Sequence, residues 1–345
     1  MATDNADSLP QRQDPAEHPG HPDPGVLRRL GQALLHFREA SIAIVGVLLV
    51  IYFQSRATAF LSPGNVANLA GYAATTAIIA AGQVMVLISG EVDLSVGQVY
   101  ALSPFVMYYA QQAGVPIVLA IVIGLIPAAI IGLINGLISV VLEIPSFIAT
   151  LGTLFIINSV NLIISGGFPV QPQAGPIVAG IFGGNALSQI LWAIGITLFF
   201  QFVLFKTRWG CHTIATGGNL IGAKEVGVKT RRIKIGNFII CSVLGGFAGI
   251  LDCFRIGSID PLAGGTDIMF MAIASAVIGG TLLTGGSGTI IGAFLGAVVL
   301  GILKDGFTLI GVSAYTFFMI LGAAILITML INVRLSHLRA AGRGG

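Results

Sequence analysis

Two carboxylates stand where the chain interrupts a long apolar run, in the stretch 90–97, Gly-Glu-Val-Asp-Leu-Ser-Val-Gly. Carboxylates near a membrane interior are costly unless they meet water, protein donors or the membrane boundary, and they often mark transport paths. One interpretation is therefore a helix break in which Glu91 and Asp93 line a translocation path or gate. The other is a short cytoplasmic turn in which Asp93 caps the following helix. The sequence leaves both interpretations open.

A second interruption covers residues 279–288, Gly-Gly-Thr-Leu-Leu-Thr-Gly-Gly-Ser-Gly. It looks like a phosphate-binding loop, but the lysine that such a loop requires is missing. No Gly-Lys pair occurs anywhere in the chain, which excludes a P-loop. The stretch is then a tight turn between helices or irregular backbone that lines a cavity. Because interrupted helices often mark transport sites, a functional pairing with the 90–97 break is one interpretation.

Other polar residues fall inside or near apolar segments, and each is a functional candidate by default in a membrane. They are Asn135, Asn161, Asp252, Arg255, Lys304 and Asp305. Asn135 and Asp305 are candidates for contact with substrate or with water in the path. Asp252 and Arg255 are three residues apart on one predicted helix and could form a pair, whereas the adjacent Lys304 and Asp305 do not face each other.

No set of residues suggests catalysis or metal binding. The five histidines lie outside the predicted spans, and the chain has neither a nucleophile elbow nor a His-Glu-x-x-His motif. Cys211, Cys241 and Cys253 show no metal-binding spacing and are predicted to be unpaired thiols. The last two are about 18 Å apart on one helix. The chain is therefore predicted to be no enzyme and to bind no metal or cofactor.

Composition indicates a membrane protein, because 55% of the 345 residues are hydrophobic and only 9% are charged. Soluble domains carry about 25% charged residues, and a spanning helix needs about 20 mostly apolar residues. We predict an all-α, polytopic membrane protein with about ten transmembrane helices. The predicted spans are 40–55, 65–89, 95–113, 115–142, 145–165, 187–205, 235–256, 266–283, 288–309 and 314–333.

Lysine and arginine predict the orientation, because they accumulate in cytoplasmic loops. The loop 206–234 holds seven basic residues against the single acid Glu225, whereas the segment 166–186 carries no charge. An even number of spans places both termini on the same side as this loop, so both termini are predicted to be cytoplasmic. Residues 1–38 are predicted to be a disordered cytoplasmic tail, residues 39–333 the membrane domain, and residues 334–345 a second cytoplasmic tail.

Small residues recur at a spacing of four, which allows two helix backbones to approach closely in lipid. The pairs and stripes are Gly132 with Gly136, Gly245 with Gly249, and Gly288 with Gly292 and Gly296. They predict tight helix packing rather than chemistry.

The loop 206–234 is long for a helix connection, and such loops are usually functional or disordered. A short helix is predicted over residues 219–226, ended by Gly227. The mix of small, apolar and charged side chains suits docking onto a cytoplasmic partner. The alternative is a solvated loop whose charge serves only orientation.

Four motifs in this order resemble the permeases of sugar-type ATP-binding-cassette importers, the ribose, xylose and galactose type, related to the branched-chain amino-acid permeases. They are Gly90–Gly97, Pro145–Thr153, the loop from Gly217 through Ala223 to Val228, and Ile278–Gly288. The resemblance covers about residues 40–333. Two positions depart from the family's pattern: Cys211-His212 replaces an arginine-led pair, and Lys224 stands where alanine is usual.

This resemblance implies a multi-pass protein of a bacterial inner membrane that translocates a pentose or hexose by alternating access. It implies a separate cytoplasmic ATPase that uses ATP, a periplasmic sugar-binding protein, and a second permease copy, with homodimerisation expected; nucleic acid is not among the partners. The ATPase-coupling loop would contain Gly217, Gly218, Asn219, Ala223, Lys224, Glu225 and Gly227. The absent P-loop fits a division of labour in which another chain hydrolyses ATP.

Three alternatives remain at this point. The first is a permease for another small solute, such as a branched-chain amino acid or a signalling sugar. The second is a secondary transporter driven by an ion gradient, for which only Glu91 and Asp93 come close to the required buried carboxylates. The third is a membrane enzyme, disfavoured by the missing catalytic set.

Overall fold

The computed structural model describes residues 38–313, 316–323 and 325–327, and these residues are mainly helical. The helices are α1 Arg38–Arg56, α2 Pro63–Ile88, α3 Val96–Gln112, α4 Ile117–Val140, α5 Ser146–Ser165, α6 Pro176–Ile181, α7 Ala186–Lys206, α8 Arg208–Gly218, α9 Leu220–Glu225, α10 Thr230–Ile256, α11 Gly265–Ile278 and α12 Ile290–Leu309. Residues 316–323 and 325–327 are also helical. An isolated antiparallel bridge joins Val170 to Ile259. The predicted all-α class is confirmed for the described residues.

Seven helices in the described part have the length and apolar composition to cross a membrane: α1, α2, α4, α5, α7, α10 and α12. Helices α3 and α11 occupy two further predicted spans but have only 17 and 14 residues. Helix α11 ends at Ile278, five residues before the predicted end of its span, because Gly279 and Gly280 begin a turn there. Residues 316–327 are a shorter apolar helix within the predicted tenth span.

Helix α2 forms the centre of the bundle and is buried along most of its length, from Ala73 to Ile88. It packs against α7, α10, α11 and α12. Small residues allow this close packing, since a Cβ added at Gly82 would lie 2.7 Å from Cys241 Cα on α10. The membrane domain is thus built around a helix that touches protein rather than lipid on most of its surface.

The predicted glycine stripes lie at helix contacts, except for Gly288, which precedes α12 and faces the Thr281 side chain in the turn after α11. Gly132 and Gly136 on α4 face α10, where an added Cβ would approach Ile239 Cα to 2.6 Å and Ile235 Cα to 2.9 Å. On α10, a side chain at Gly249 would overlap the carbonyl oxygen of Tyr100 on α3. A side chain at Gly296 of α12 would overlap the carbonyl oxygen of Ser275 on α11. The prediction of tight packing is therefore confirmed.

The outer surface is apolar where α4, α5 and α7 face away from the bundle. Val122, Phe155 and Phe199 are more than half exposed in the isolated chain. Such a surface is compatible with lipid, because the bilayer provides the apolar surroundings that water would not.

The two predicted tails, 1–38 and 334–345, lie outside the described residues except for Arg38, the first residue of α1. All twelve helices lie within the predicted membrane domain, apart from that first residue.

Candidate functional site

Three chain segments meet through their backbones at one point of the bundle. They are the end of α2 (Ile88–Gly90), the end of α8 (Gly217–Gly218), and Gly285–Gly286 in the α11–α12 connection. The amide of Gly286 donates a 2.8 Å hydrogen bond to the carbonyl oxygen of Ile88. An added Cβ at Gly285 would lie 3.1 Å from both the Gly217 oxygen and Gly90 Cα. We call this contact the glycine junction.

Glycine is required in the junction for two reasons. Gly90, Gly285 and Gly286 have φ values of +80°, +88° and +77°, a left-handed backbone region that side chains disfavour. Gly217 is helical, but a Cβ there would overlap the carbonyl oxygen of Ile88. The two helix breaks that the sequence indicates are therefore in direct contact with each other and with the long loop.

Asp93 lies in the first break, is fully buried, and is held by neutral groups. The Ser95 amide and hydroxyl both donate to one carboxylate oxygen, at 2.9 and 2.7 Å. The Ser242 hydroxyl of α10 donates to the other oxygen at 3.3 Å. The Gln83 side chain of α2 donates to the backbone carbonyl of Asp93 at 2.5 Å. Asp93 thus ties the break to two helices, and its bond with the Ser95 amide lies directly before the start of α3.

Asn135 extends the same network to α4 and α5. Its amide nitrogen donates to the Ser95 hydroxyl at 2.8 Å, and its oxygen accepts from Thr153 at 2.5 Å. Another α5 hydroxyl, that of Ser146, accepts from the backbone amide of Val92 at 3.1 Å. Two residues predicted for the path, Asp93 and Asn135, are therefore joined through Ser95.

Glu91 makes a different contact, an ion pair with Lys234 near the start of α10. The two charged atoms are 2.6 Å apart, and both side chains are only about 15% exposed. This pair borders a cavity of about 300 Å³ that α4, α9 and α10 also line. The charged residues around that cavity are Glu91, Glu143, Lys224, Arg231 and Lys234.

The segment 207–229, which we call the α8–α9 segment, folds as two helices. Thr207 caps α8, and Trp209 anchors it on α10 by packing over Gly236 and donating to Asn237 at 2.9 Å. Asn219 caps α9 by accepting from the Gly222 amide at 2.9 Å. The predicted short helix and its end are confirmed, because Gly227 follows α9 with φ +83°.

The residues predicted for the coupling loop have separate positions in this segment. Gly217 and Gly218 belong to the glycine junction, and Ala223 is buried. Lys224 lines the cavity beside Glu91, whereas Glu225 is exposed. Two apolar side chains nearby, Ile221 and Val226, are 72% and 80% exposed.

Asp305 is not part of the junction contacts, although the sequence grouped it with Glu91, Asp93 and Asn135. Its carboxylate accepts a 2.6 Å hydrogen bond from Asn65 of α2. The neighbouring Lys304 instead lies over the ring of Tyr72. The prediction that these two adjacent residues do not face each other is confirmed.

Sequence reasoning missed several members of the site. Ser95 was visible in the 90–97 motif, but nothing marked it as the residue that joins Asp93 to Asn135. Ser242 and Lys234 lie more than 140 residues from their partners. Lys234 was counted only as one charge of a basic loop, whereas in the structure it neutralises Glu91.

Residues 65–329 match a family described as the permease component of branched-chain amino acid transport systems. The chain is 37% identical over 303 residues to a xylose/arabinose import permease of Sulfolobus acidocaldarius, covering 85% of this chain and 84% of that one. It is 34% identical to a ribose import permease of Bacillus subtilis, covering 89% and 94% of the two chains. A Salmonella typhi permease of an autoinducer 2 import system is 32% identical, with 86% of each chain covered. No solved structure matches the chain.

Proposed function

This chain belongs to the family of permease components of branched-chain amino acid transport systems, and we propose that it is the membrane-spanning subunit of an ATP-driven monosaccharide importer. The substrate class rests on relatives named for the import of xylose and arabinose and of ribose. The closest alternative is a small signalling sugar, in view of the autoinducer 2 relative.

The observation that carries the mechanism is the glycine junction. A partner that moves the α8–α9 segment also moves Gly217, which touches the ends of both helix breaks. Because the three segments meet through backbone atoms, no flexible side chain can absorb the displacement. A separate ATPase that docks on the α8–α9 segment would thereby change the packing of α2, α3, α11 and α12.

The exposed apolar side chains Ile221 and Val226 are the proposed docking residues for the ATPase. They project from a segment that also carries the charged residues Lys224, Glu225 and Lys229. Buried apolar anchors with a polar rim are the usual arrangement at protein interfaces. ATP is used by that partner, since the chain has no P-loop lysine.

The seven basic residues of the loop 206–234 support a cytoplasmic position for this end of the bundle under the positive-inside rule. With α3, α11 and the helix at residues 316–327 crossing as well, the chain has ten crossings and both termini in the cytoplasm. The opposite end then faces a sugar-binding protein outside the inner membrane. The exposed apolar surface would be covered by lipid and by a second permease copy.

We expect Ile221→Asp with Val226→Asp to abolish co-purification of the ATPase subunit, because both changes place charge at the centre of the proposed interface. The matched control is Ile177→Asp, on the other six-residue helix, α6, where Ile177 is 77% exposed. Undiminished ATPase binding by the double variant would contradict the docking proposal. Loss of binding in the control as well would show that the effect is not specific to the α8–α9 segment.

A further inference from the structure

A polar cleft of about 410 Å³ lies among α2, α3, α10, α11 and α12. The cleft and the site described above lie near different ends of helix α10. Lys234 near the start of this helix pairs with Glu91, whereas Asp252 and Arg255 near its end line the cleft. Twenty-one residues of α10 separate Lys234 from Arg255, about 30 Å along the helix axis. The cleft is therefore at the end of the bundle opposite the α8–α9 segment.

The cleft runs from an exposed rim to a buried floor. Leu262 and Tyr72 at the rim are 67% and 42% exposed. Tyr100 and Thr75 on the floor are about 5% exposed. Ligand sites commonly have volumes of about 300–1,000 Å³ and combine apolar walls with a few fixed polar groups, so the size and lining suit a small molecule.

The charged groups of the cleft are largely paired with one another. Arg255 Nε lies 2.6 Å from one Asp252 oxygen, and the Tyr100 hydroxyl donates to the other. Lys304 on α12 and Asp267, in the first turn of α11, line the same cleft. Two cations and two carboxylates leave the cleft without net charge.

Tyr72 fixes the positions of both cations. The Arg255 guanidinium carbon is 5.2 Å from the centre of the Tyr72 ring, and the Lys304 nitrogen is 4.9 Å from it. Both distances are in the range of cation–π attraction. The Thr76 hydroxyl donates to the Tyr72 carbonyl at 2.8 Å, so its oxygen retains lone pairs that can accept.

Building on the proposed transport function, we propose that this cleft is a binding site for a monosaccharide within the permease itself. Lys304 and Arg255 provide donors, Asp267 and Thr76 provide acceptors, and the tyrosine rings provide walls. Sugar hydroxyls both donate and accept hydrogen bonds, which matches this mixture. A free anion or cation would meet charges of its own sign, and the net neutrality of the cleft favours an uncharged ligand.

This site would take the sugar after its release at the outer face and before the helix breaks open toward the cytoplasm. It would also contribute to substrate choice, because the polar groups are fixed by Tyr72 and by the Asp252–Arg255 pair. Specificity would then reside partly in this chain and not only in a binding protein.

The test is uptake of ribose, xylose, arabinose, galactose and leucine by proteoliposomes that contain the full transporter with its ATPase and binding protein. Tyr72→Ala and Lys304→Gln are compared with wild type and with Tyr52→Ala. Tyr52 is the matched control, because it is 44% exposed and also lies under an arginine, Arg56, but outside the cleft. Co-purification of the ATPase subunit reports whether each complex is assembled.

We expect Lys304→Gln to lower sugar uptake about tenfold, the effect of losing one hydrogen bond that involves a charged group. Tyr72→Ala lowers uptake as well, because the ring holds both cations in place, and both variants change the ranking of the four sugars. Co-purification of the ATPase subunit stays at the wild-type level in all variants. Unchanged uptake and ranking in both cleft variants would overturn the binding site while leaving the transport function intact. Uptake of leucine in place of sugars would overturn the sugar assignment, and a wild-type complex that moves no sugar would instead contradict the proposed function.

Discussion

Asp93 is a fully buried carboxylate whose hydrogen-bond partners, among the described residues, are neutral: the Ser95 amide and hydroxyl and the Ser242 hydroxyl. Such a group can serve as an ion or proton carrier, or it can act as a structural acceptor that fixes a helix break. The two roles differ in whether the negative charge itself is needed. The three donors favour the structural role, because a neutral amide oxygen can accept some of these hydrogen bonds without a negative charge.

We expect Asp93→Asn to retain sugar uptake within about threefold of wild type, because the asparagine oxygen can accept from Ser95 while its amide donates to the Ser242 hydroxyl. Asp93→Leu leaves those donors unpaired, each at a cost of about 1–3 kcal/mol. This variant should therefore show a lower unfolding temperature in detergent and little uptake. Loss of uptake in a stably folded Asp93→Asn protein would instead favour a transporter coupled to ions.

Individual contacts could be predicted where the partners are close in sequence. The pairing of Asp252 with Arg255 followed from helical spacing, and the structure confirms it at 2.6 Å. The partner of Glu91 could not be predicted in the same way, because 143 residues separate it from Lys234. Likewise, nothing in the sequence indicates that Tyr72 lies under two cations from different helices.

At the scale of elements, the two helix breaks and the α8–α9 segment form one unit because they share the glycine junction. The breaks were predictable from their glycine content and polar residues. Their contact was proposed only as a functional pairing, and the participation of Gly217 in it depends on how α8 folds back onto the bundle.

Gly217→Ala tests this junction, and the adjacent Gly218→Ala is its control. A Cβ at Gly217 would overlap the Ile88 carbonyl oxygen, whereas a Cβ at Gly218 has Gly286 Cα as its neighbour at 3.8 Å. Overpacking costs about 1–3 kcal/mol, so Gly217→Ala should lower thermal stability and reduce uptake at least about tenfold. Gly218→Ala should resemble wild type. Equal behaviour of the two variants would show that the junction is not under steric constraint.

Helix boundaries were predicted well where apolar runs are long, and less well where contacts with the rest of the bundle determine whether a helix forms and where it begins. Helix α8 was not predicted, because residues 208–218 contain three glycines and three threonines or cysteines, all weak helix formers. Its stability derives from the Thr207 cap and from Trp209 packing over Gly236. Helix α10 begins five residues before its predicted span, at Thr230, because its basic first turns face the cavity beside Glu91 rather than lipid.

At the scale of the whole molecule, the permease has two polar regions at opposite ends of a helical bundle. One contains the glycine junction, the Asp93 network and the exposed side chains of Ile221 and Val226 in the α8–α9 segment. The other contains the neutral, tyrosine-walled cleft. Helices α2 and α10 contribute to both regions, so a change at the end that contains the α8–α9 segment has a direct structural route to the opposite end.

The measurement that tests this account most directly is monosaccharide uptake by proteoliposomes with and without the ATPase subunit. The chain is reconstituted with its binding protein, and ribose, xylose, arabinose and galactose are supplied in the presence or absence of ATP. We predict uptake of at least one sugar only when both the ATPase and ATP are present. Uptake that persists without the ATPase and follows a sodium or proton gradient would contradict the account.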